Sequence, residues 1–213
     1  MTDMARARDG IARVGASLFE RGLTPGSSGN ISVRLPEGGW LMTPTNVSLG
    51  SIDPARLSHF DATGRHIAGD VPTKEAFLHF SMYVERADAQ AVVHLHSSHA
   101  TAVSILANLN PADVMPALTA YYVMRVGRLP LVPYFAPGDP ELAHAVKALA
   151  SRHHAVLLAN HGPVVAGTSL SNAQFAVEEL EETAKLFLML QNHALRILTP
   201  EQVADLRQRF KLS

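Results

Sequence analysis

Between Thr2 and Arg21 the apolar positions Ile11, Val14, Leu18 and Phe19 fall at helical intervals, which predicts an amphipathic helix closed by Gly22. TPGSSGNIS follows, a turn-rich stretch that ends where a strand can begin. WLMTPT predicts a returning strand, and LSHFDATGRHIAG a strand pair turning at Thr63-Gly64. PTKEAFLHFSMYVER predicts a helix opened by Pro72 and Thr73, with Phe77, Phe80, Met82 and Val84 as its apolar bulk. AVVHLH reads as a short buried strand and SHATAVSILAN as the helix after it. LPLVPY is strand-like, and PGDPELAHAVKALASR is a helix with Asp139 as N-cap and Pro140 in its first position. AVLLANHGPVVAG predicts two strands joined at a His-Gly-Pro turn. One long helix is expected from Leu170 to Leu198, and a short last one from Pro200 to Phe210. The sum is an α/β chain with helices outside a mostly antiparallel sheet. No repeat or linker divides it, so residues 1–213 are read as a single domain.

Composition narrows the partners. At 47% hydrophobic and 17% charged, the chain has the material for one full core. Its net charge of -1 and lack of a basic block argue against nucleic acid and anionic membrane as partners. There is no cysteine, so any metal must be held by His, Asp, Glu or carbonyl oxygen. The first residues carry no signal-type apolar run, and Asp3, Asp9 and Glu20 argue against a transit peptide. No stretch approaches a membrane span, and the expected location is the cytoplasm.

The chemistry-bearing positions are histidines. In a strand, His94 and His96 project to one side with Leu95 turned away, which suits two imidazoles sharing an ion. A polar strand face meeting solvent is the plain alternative. His161 stands at the end of an apolar strand, where it can point into a cleft, and Glu75 stands near a helix start, where the dipole favours a carboxylate. His79, His99, His153 and His154 read as packing or surface residues, although His79 lies one helical turn beyond Glu75 and is placed to orient it. GSSGN and TPTN offer backbone N–H groups, hydroxyls and an amide that can cradle an anion, and Lys74 adds a fixed positive charge beside Glu75. Neither loop is a P-loop, and each alone is an ordinary turn.

Taken in order, RGLTPGSSGNISVR, MTPTN, DVPTKEAFLH, AVVHLHSSHAT and LLANHG resemble the class II aldolase/adducin family over nearly the whole chain. The resemblance implies an α/β/α layered fold with a central, mainly antiparallel sheet covered by helices. It further implies a homotetramer with active sites near subunit interfaces, and one Zn2+ per subunit, with Mn2+ or Co2+ as substitutes. On the matching positions, His94, His96 and His161 would hold the metal, and Glu75 would act as acid/base and approach it. Ser28, Gly29 and Asn30 would form a first phosphate loop, and Thr45 and Asn46 a second. Thr73 and Lys74 stand where the sugar-phosphate aldolases have two serines, a departure that puts the grip on phosphate in question. Tyr121, with Tyr122 adjacent, lies where aldolases present a tyrosine to a neighbouring subunit.

PTKE, LTAYYVMRVGRLPLVPYFAPGDPELA and LLANHGPVVAG look like the four-carbon acid-sugar branch of the family. The implied reaction is metal-dependent decarboxylation of a 3-oxo-tetronate 4-phosphate to dihydroxyacetone phosphate and CO2 through an enediolate. For Glu75 to protonate that enediolate, partial burial should raise its pKa. An aldolase cleaving fuculose or ribulose phosphate is the alternative from the same metal site. A non-catalytic adducin-like scaffold is a third reading, and the presence of all four candidate ligands counts against it.

Overall fold

The computed structural model describes residues 2–136 and 139–212. Its elements run α1 (Asp3–Glu20), β1 (Asn30–Arg34), β2 (Trp40–Met42), β3 (Ser58–Phe60), β4 (His66–Ala68), α2 (Ala76–Glu85), β5 (Ala91–His94) and α3 (Ser98–Ile105). There follow α4 (Ala120–Arg125), β6 (Leu131–Val132), α5 (Pro140–Ala150), β7 (Ala155–Leu158), β8 (Gly162–Gly167), α6 (Leu170–Leu190) and α7 (Pro200–Phe210). The strands form one eight-stranded sheet in the order β4-β3-β2-β1-β5-β8-β7-β6. Neighbours are antiparallel except β6 and β7. The expected layered fold is therefore present, with one parallel pair at an edge.

The central strands are buried on both faces, which explains why they read as unbroken apolar runs. Val93, Leu95, Leu157 and Val165 face one core, shared with Ile11 and Leu18 of α1, Val103 of α3 and Val177 and Leu180 of α6. Val92, Val156, Leu158 and Val164 alternate to the other face and pack with Leu78 and Met82 of α2 and Leu142 and Val146 of α5. By the same alternation His94 turns toward the α2/α5 layer.

Several boundaries move. The helix expected from Pro72 starts at Ala76, because Glu75 sits outside helical geometry and the Thr73 hydroxyl accepts the Glu75 N–H. Its buried stripe is Leu78 and Met82, while Val84 is exposed. Phe19 is 41% exposed and lies over Gly50 instead of in the core. The turn between β7 and β8 comes earlier than His-Gly-Pro. Asn160 takes the left-handed conformation at φ 56, and Gly162 and Pro163 already belong to β8. The long helix stops at Leu190, and Leu198 instead donates its N–H to the Ala117 carbonyl as an irregular segment. Sequence reading found no helix where α4 forms; Thr119 caps it by accepting from the Tyr122 N–H. Asp139 and Pro140 open α5 as expected, and the Pro137-Gly138 part of that predicted helix lies outside the described residues.

Gly162 lets two chains approach. A Cβ there would stand 2.1 Å from the Leu95 carbonyl oxygen and 3.3 Å from His96 Cα. Gly162→Ala is expected to destabilise by about 2–3 kcal/mol and to weaken metal retention by displacing His96 and His161. Urea unfolding and metal analysis of the variant measure the two effects.

Candidate metal centre

Strand order assembles the site. β5 lies between β1 and β8, with His94 in register with Asn30 on one side and Val164 on the other. His96 follows β5, and His161 ends the turn before β8. Their Nε2 atoms form a triangle with sides of 3.1 Å (His94–His96), 3.3 Å (His94–His161) and 3.0 Å (His96–His161). Glu75 completes the group, with one carboxylate oxygen 3.1 Å from His161 Nε2 and the other 3.5 Å from His94 Nε2. All four donor atoms lie within 4.8 Å of one another.

Protons alone do not account for this group. The Pro163 carbonyl can only accept, so His94 Nδ1, 2.8 Å away, carries the hydrogen. Its Nε2 faces the triangle. Burial, followed by the charges of His94 and His161, pushes His96 down to about 4, so His96 is neutral near pH 7. Nitrogens bonded tetrahedrally to one ion at about 2.0–2.1 Å stand roughly 3.3 Å apart, close to the three sides observed. The donor set and its spacing therefore fit a divalent cation.

Glu75 corrects one expectation. Burial does push its carboxyl up, but the charge of His94 and the hydrogen bond with His161 outweigh it and hold the group well below the ordinary carboxylate range. At rest it is ionised, not a stored acid. A bound cation would act in the same direction.

An ionised Glu75 also orients a chain of buried groups. Asn30 Nδ2 donates to Glu75 Oε2 at 2.7 Å and lies 3.2 Å from the Thr73 hydroxyl. The Asn30 amide oxygen therefore faces His79 Nε2 at 2.5 Å and accepts its hydrogen. His79 Nδ1 must then accept from the Ser32 hydroxyl at 2.7 Å, and Ser32 in turn accepts from Tyr83 at 2.8 Å. His79 is fully buried, and burial pushes it down to about 3. Its spacing of four from Glu75 was the signal in the sequence, but the link through Asn30 depends on the sheet.

The predicted loops meet at this edge. Thr45 donates its N–H to the Val71 carbonyl and Thr73 donates to Thr43, which stitches the 43–46 loop to the segment carrying Thr73, Lys74 and Glu75. Asn46 is left-handed and exposed, and Lys74 is exposed. Gly29 is left-handed at φ 80, and a Cβ there would reach 3.0 Å from the His94 carbonyl. The Ser28 hydroxyl is bonded to the Pro25 carbonyl within its own turn. Thr73 is 8% exposed, its oxygen accepting from Asn30 and Glu75. Tyr121 does not join its own chain's cluster. It is 62% exposed and lines a separate cavity with Arg21, Phe175 and Glu178, while Tyr122 is buried. His99 bonds Glu181, whose carboxylate also accepts the first N–H groups of α3, and His154 bonds the Arg125 carbonyl.

Residues 9–188 match the family described as Class II Aldolase and Adducin N-terminal domain. The chain is 46% identical over 211 residues to the 3-oxo-tetronate 4-phosphate decarboxylase of Escherichia coli (strain K12), covering 97% of this chain and 100% of that one. It is 33% identical over 194 residues to the L-fuculose phosphate aldolase of the same organism, covering 89% and 87%. The solved structure of YgbL from Escherichia coli superposes with a TM-score of 0.95 at 45% identity, over 97% of this chain and 100% of that one.

Two outcomes are expected. Purified protein should hold one divalent ion per chain, and His96→Ala should lose it while keeping the wild-type circular dichroism spectrum; elemental analysis decides. The second concerns pH. Between about 6.5 and 3 the unfolded chain binds a proton that buried His79 refuses, so stability falls as pH falls through that window. His79→Gln should flatten the acid decline of Tm in metal-free protein relative to wild type.

Proposed function

The chain belongs to the class II aldolase/adducin family, and from that premise we propose that it is a metal-dependent 3-oxo-tetronate 4-phosphate decarboxylase releasing CO2 and dihydroxyacetone phosphate. The observation that carries this reading is the His94, His96, His161 and Glu75 cluster in a chain 46% identical, end to end, to enzymes of that activity. The lower identity to the fuculose phosphate aldolase, 33%, favours decarboxylation over aldol cleavage. The all-imidazole ligand set suits Zn2+, with Mn2+ or Co2+ as substitutes. In this proposal the protein is a cytoplasmic homotetramer in which Tyr121 of one subunit reaches the site of the next.

The substrate is a β-keto acid, with a carboxylate at C1, a hydroxyl at C2, a ketone at C3 and a phosphate at C4. When bound, the divalent cation supplies a positive charge that stabilises negative charge growing on the ketone oxygen. His94, His96 and His161 hold that cation through neutral rings, and the Pro163 carbonyl fixes the tautomer of His94. Gly29, Asn46 and Lys74 bind the anionic ends, with the exposed ammonium of Lys74 in place of a neutral hydroxyl. Ser28 and Thr73 support these loops through the bonds they make within them. The C1–C2 bond breaks, its electron pair passes to C2 and the ketone oxygen, and C1 leaves as CO2.

Glu75 completes the reaction. Substrate brings negative charge beside its carboxylate, which raises its proton affinity. Glu75 takes a proton from water, delivers it to C2 and returns to its ionised state. Asn30 keeps the carboxylate aimed during this exchange. The reaction thus consumes one proton per CO2 and needs no redox partner.

The test is direct. Metal-loaded protein given a 3-oxo-tetronate 4-phosphate should release CO2 and dihydroxyacetone phosphate in equal amounts, and a chelator should stop it. L-fuculose phosphate, offered in parallel, should yield little aldehyde. Glu75→Gln should lower kcat by about 10²–10⁴-fold. Full-rate CO2 release and product protonation by that variant would rule out the role given to Glu75.

A further inference from the structure

At the end of the β5–β8 pair remote from the histidines there is a cavity of about 630 Å³. Ala166 and Gly167 form part of its wall, and Gly167 is three strand positions beyond Val164, the register partner of His94. That is roughly 10 Å along the strand, so the cavity is distinct from the metal centre. Its volume lies within the usual span of small-ligand sites, about 300–1,000 Å³.

The lining is strongly cationic. Arg86, Arg125, Arg128, Arg152, Arg207 and Lys211 all border it, six of the 18 Lys and Arg in the chain, with the Arg125 guanidinium turned over the Phe175 ring toward the glutamate-lined cavity on α6 and the other five left to this one. They come from separate segments: the end of α2, the end of α4 and the loop after it, the end of α5, and both α7 and its C-cap. Among the described residues Asp88 is the only carboxylate in the lining, and it pairs with Arg86 at 3.6 Å. Among the described residues none of the other five cations has a carboxylate within ion-pair distance. Asp113 stands nearby and feels the charge of Arg128 and Arg207. Two histidines of the wall register the same field. Burial and then the adjoining arginines hold His153 and His154 below their ordinary value, so neither adds a charge at neutral pH.

Mutually repelling cationic groups gathered into one concavity, with Asp88 the one carboxylate among its described lining residues, cost stability, and an anion offsets that cost. The planar forks of Arg match phosphate and carboxylate oxygens two at a time. A single phosphate leaves most of this lining unmatched. From this geometry we propose that the cavity is a second binding site, separate from the metal centre, for a small molecule with two or more phosphate or carboxylate groups, such as a sugar bisphosphate. The cavity is closed at one end by strands, and the chain as a whole is weakly acidic, which favours a compact polyanion over a nucleic-acid strand. This inference does not depend on the reaction proposed for the metal centre.

Fructose 1,6-bisphosphate is the probe, titrated calorimetrically into metal-loaded protein at low and at physiological salt. Arg128 and Arg152 are exposed, so Arg128→Ser/Arg152→Ser should fold, and Arg152→Ser alone serves as the milder variant. Wild type should show a binding event that weakens steeply with salt. The double variant should bind at least tenfold more weakly, the single variant should fall between, and metal content should stay unchanged in both. Affinity equal to wild type in the double variant would place the binding at the metal centre and overturn the proposal, as would no binding by wild type. CO2 release is measured separately, so failure of the proposed reaction and failure of this site are read on different assays.

Discussion

Three imidazole nitrogens and a carboxylate, all within 4.8 Å and short of hydrogens to share, make the constraint on which the rest of the structure turns. A divalent cation at its centre would satisfy such a group. The sheet order assembles it from three strands. β5 brings His94, the segment just after it His96, the turn into β8 His161, and β1 brings Asn30, which steadies Glu75. Pro163 contributes through its carbonyl, which accepts both the His94 Nδ1–H and the Leu95 N–H. One oxygen thus ties the strand pairing to the tautomer of a metal ligand. Gly162 allows that pairing to be close enough.

Behind the ligands runs a second arrangement with a fixed direction. Because an ionised carboxylate only accepts, each hydrogen bond from Glu75 through Asn30, His79 and Ser32 to Tyr83 has a single possible donor. Every member of the chain is buried except Glu75 itself. A buried polar network whose members are all satisfied holds its geometry, since rotating any one group strands two others. The cluster is therefore stiffened from the core side. Protonating Glu75 would turn it into a donor at one oxygen, which the rest of the chain can tolerate because Asn30 needs only the other.

This arrangement also explains what was legible in the sequence. The convergence of His94, His96 and His161 was, because a strand's period of two and the apolar runs flanking His94 and His161 constrain where those rings point. The layers were too, because strands buried on both faces leave runs such as AVLL and PVVA. Helix starts were less so. The start of α2 depends on Thr73 turning back to Glu75, a tertiary matter linked to Asn30, and α4 has no periodic stripe long enough to be seen. The state of Glu75 was misread because burial was visible in outline while the histidines that outweigh it were not yet near it. His79 was underrated for the same reason: its partner is 49 residues away.

Charge distribution carries the reading one step further. A net charge of -1 suggests a chain indifferent to ions. The fold instead concentrates positive potential at both ends of the β5–β8 pair. At one end His94, His96 and His161 form a cluster whose donor atoms fit a cation. At the other, guanidinium groups from four segments supply positive charge themselves. Acidic residues are spread elsewhere, including Glu178, Glu179, Glu181 and Glu182 on α6. Local fields of this kind draw anions toward concavities even when the whole molecule repels them weakly. A substrate bearing a carboxylate and a phosphate is the sort of molecule such a surface collects. The two ends differ in their side chains: the histidine end sets an ionised carboxylate, Glu75, beside three imidazoles, whereas the arginine end has Asp88 as the one carboxylate among the described residues of its lining.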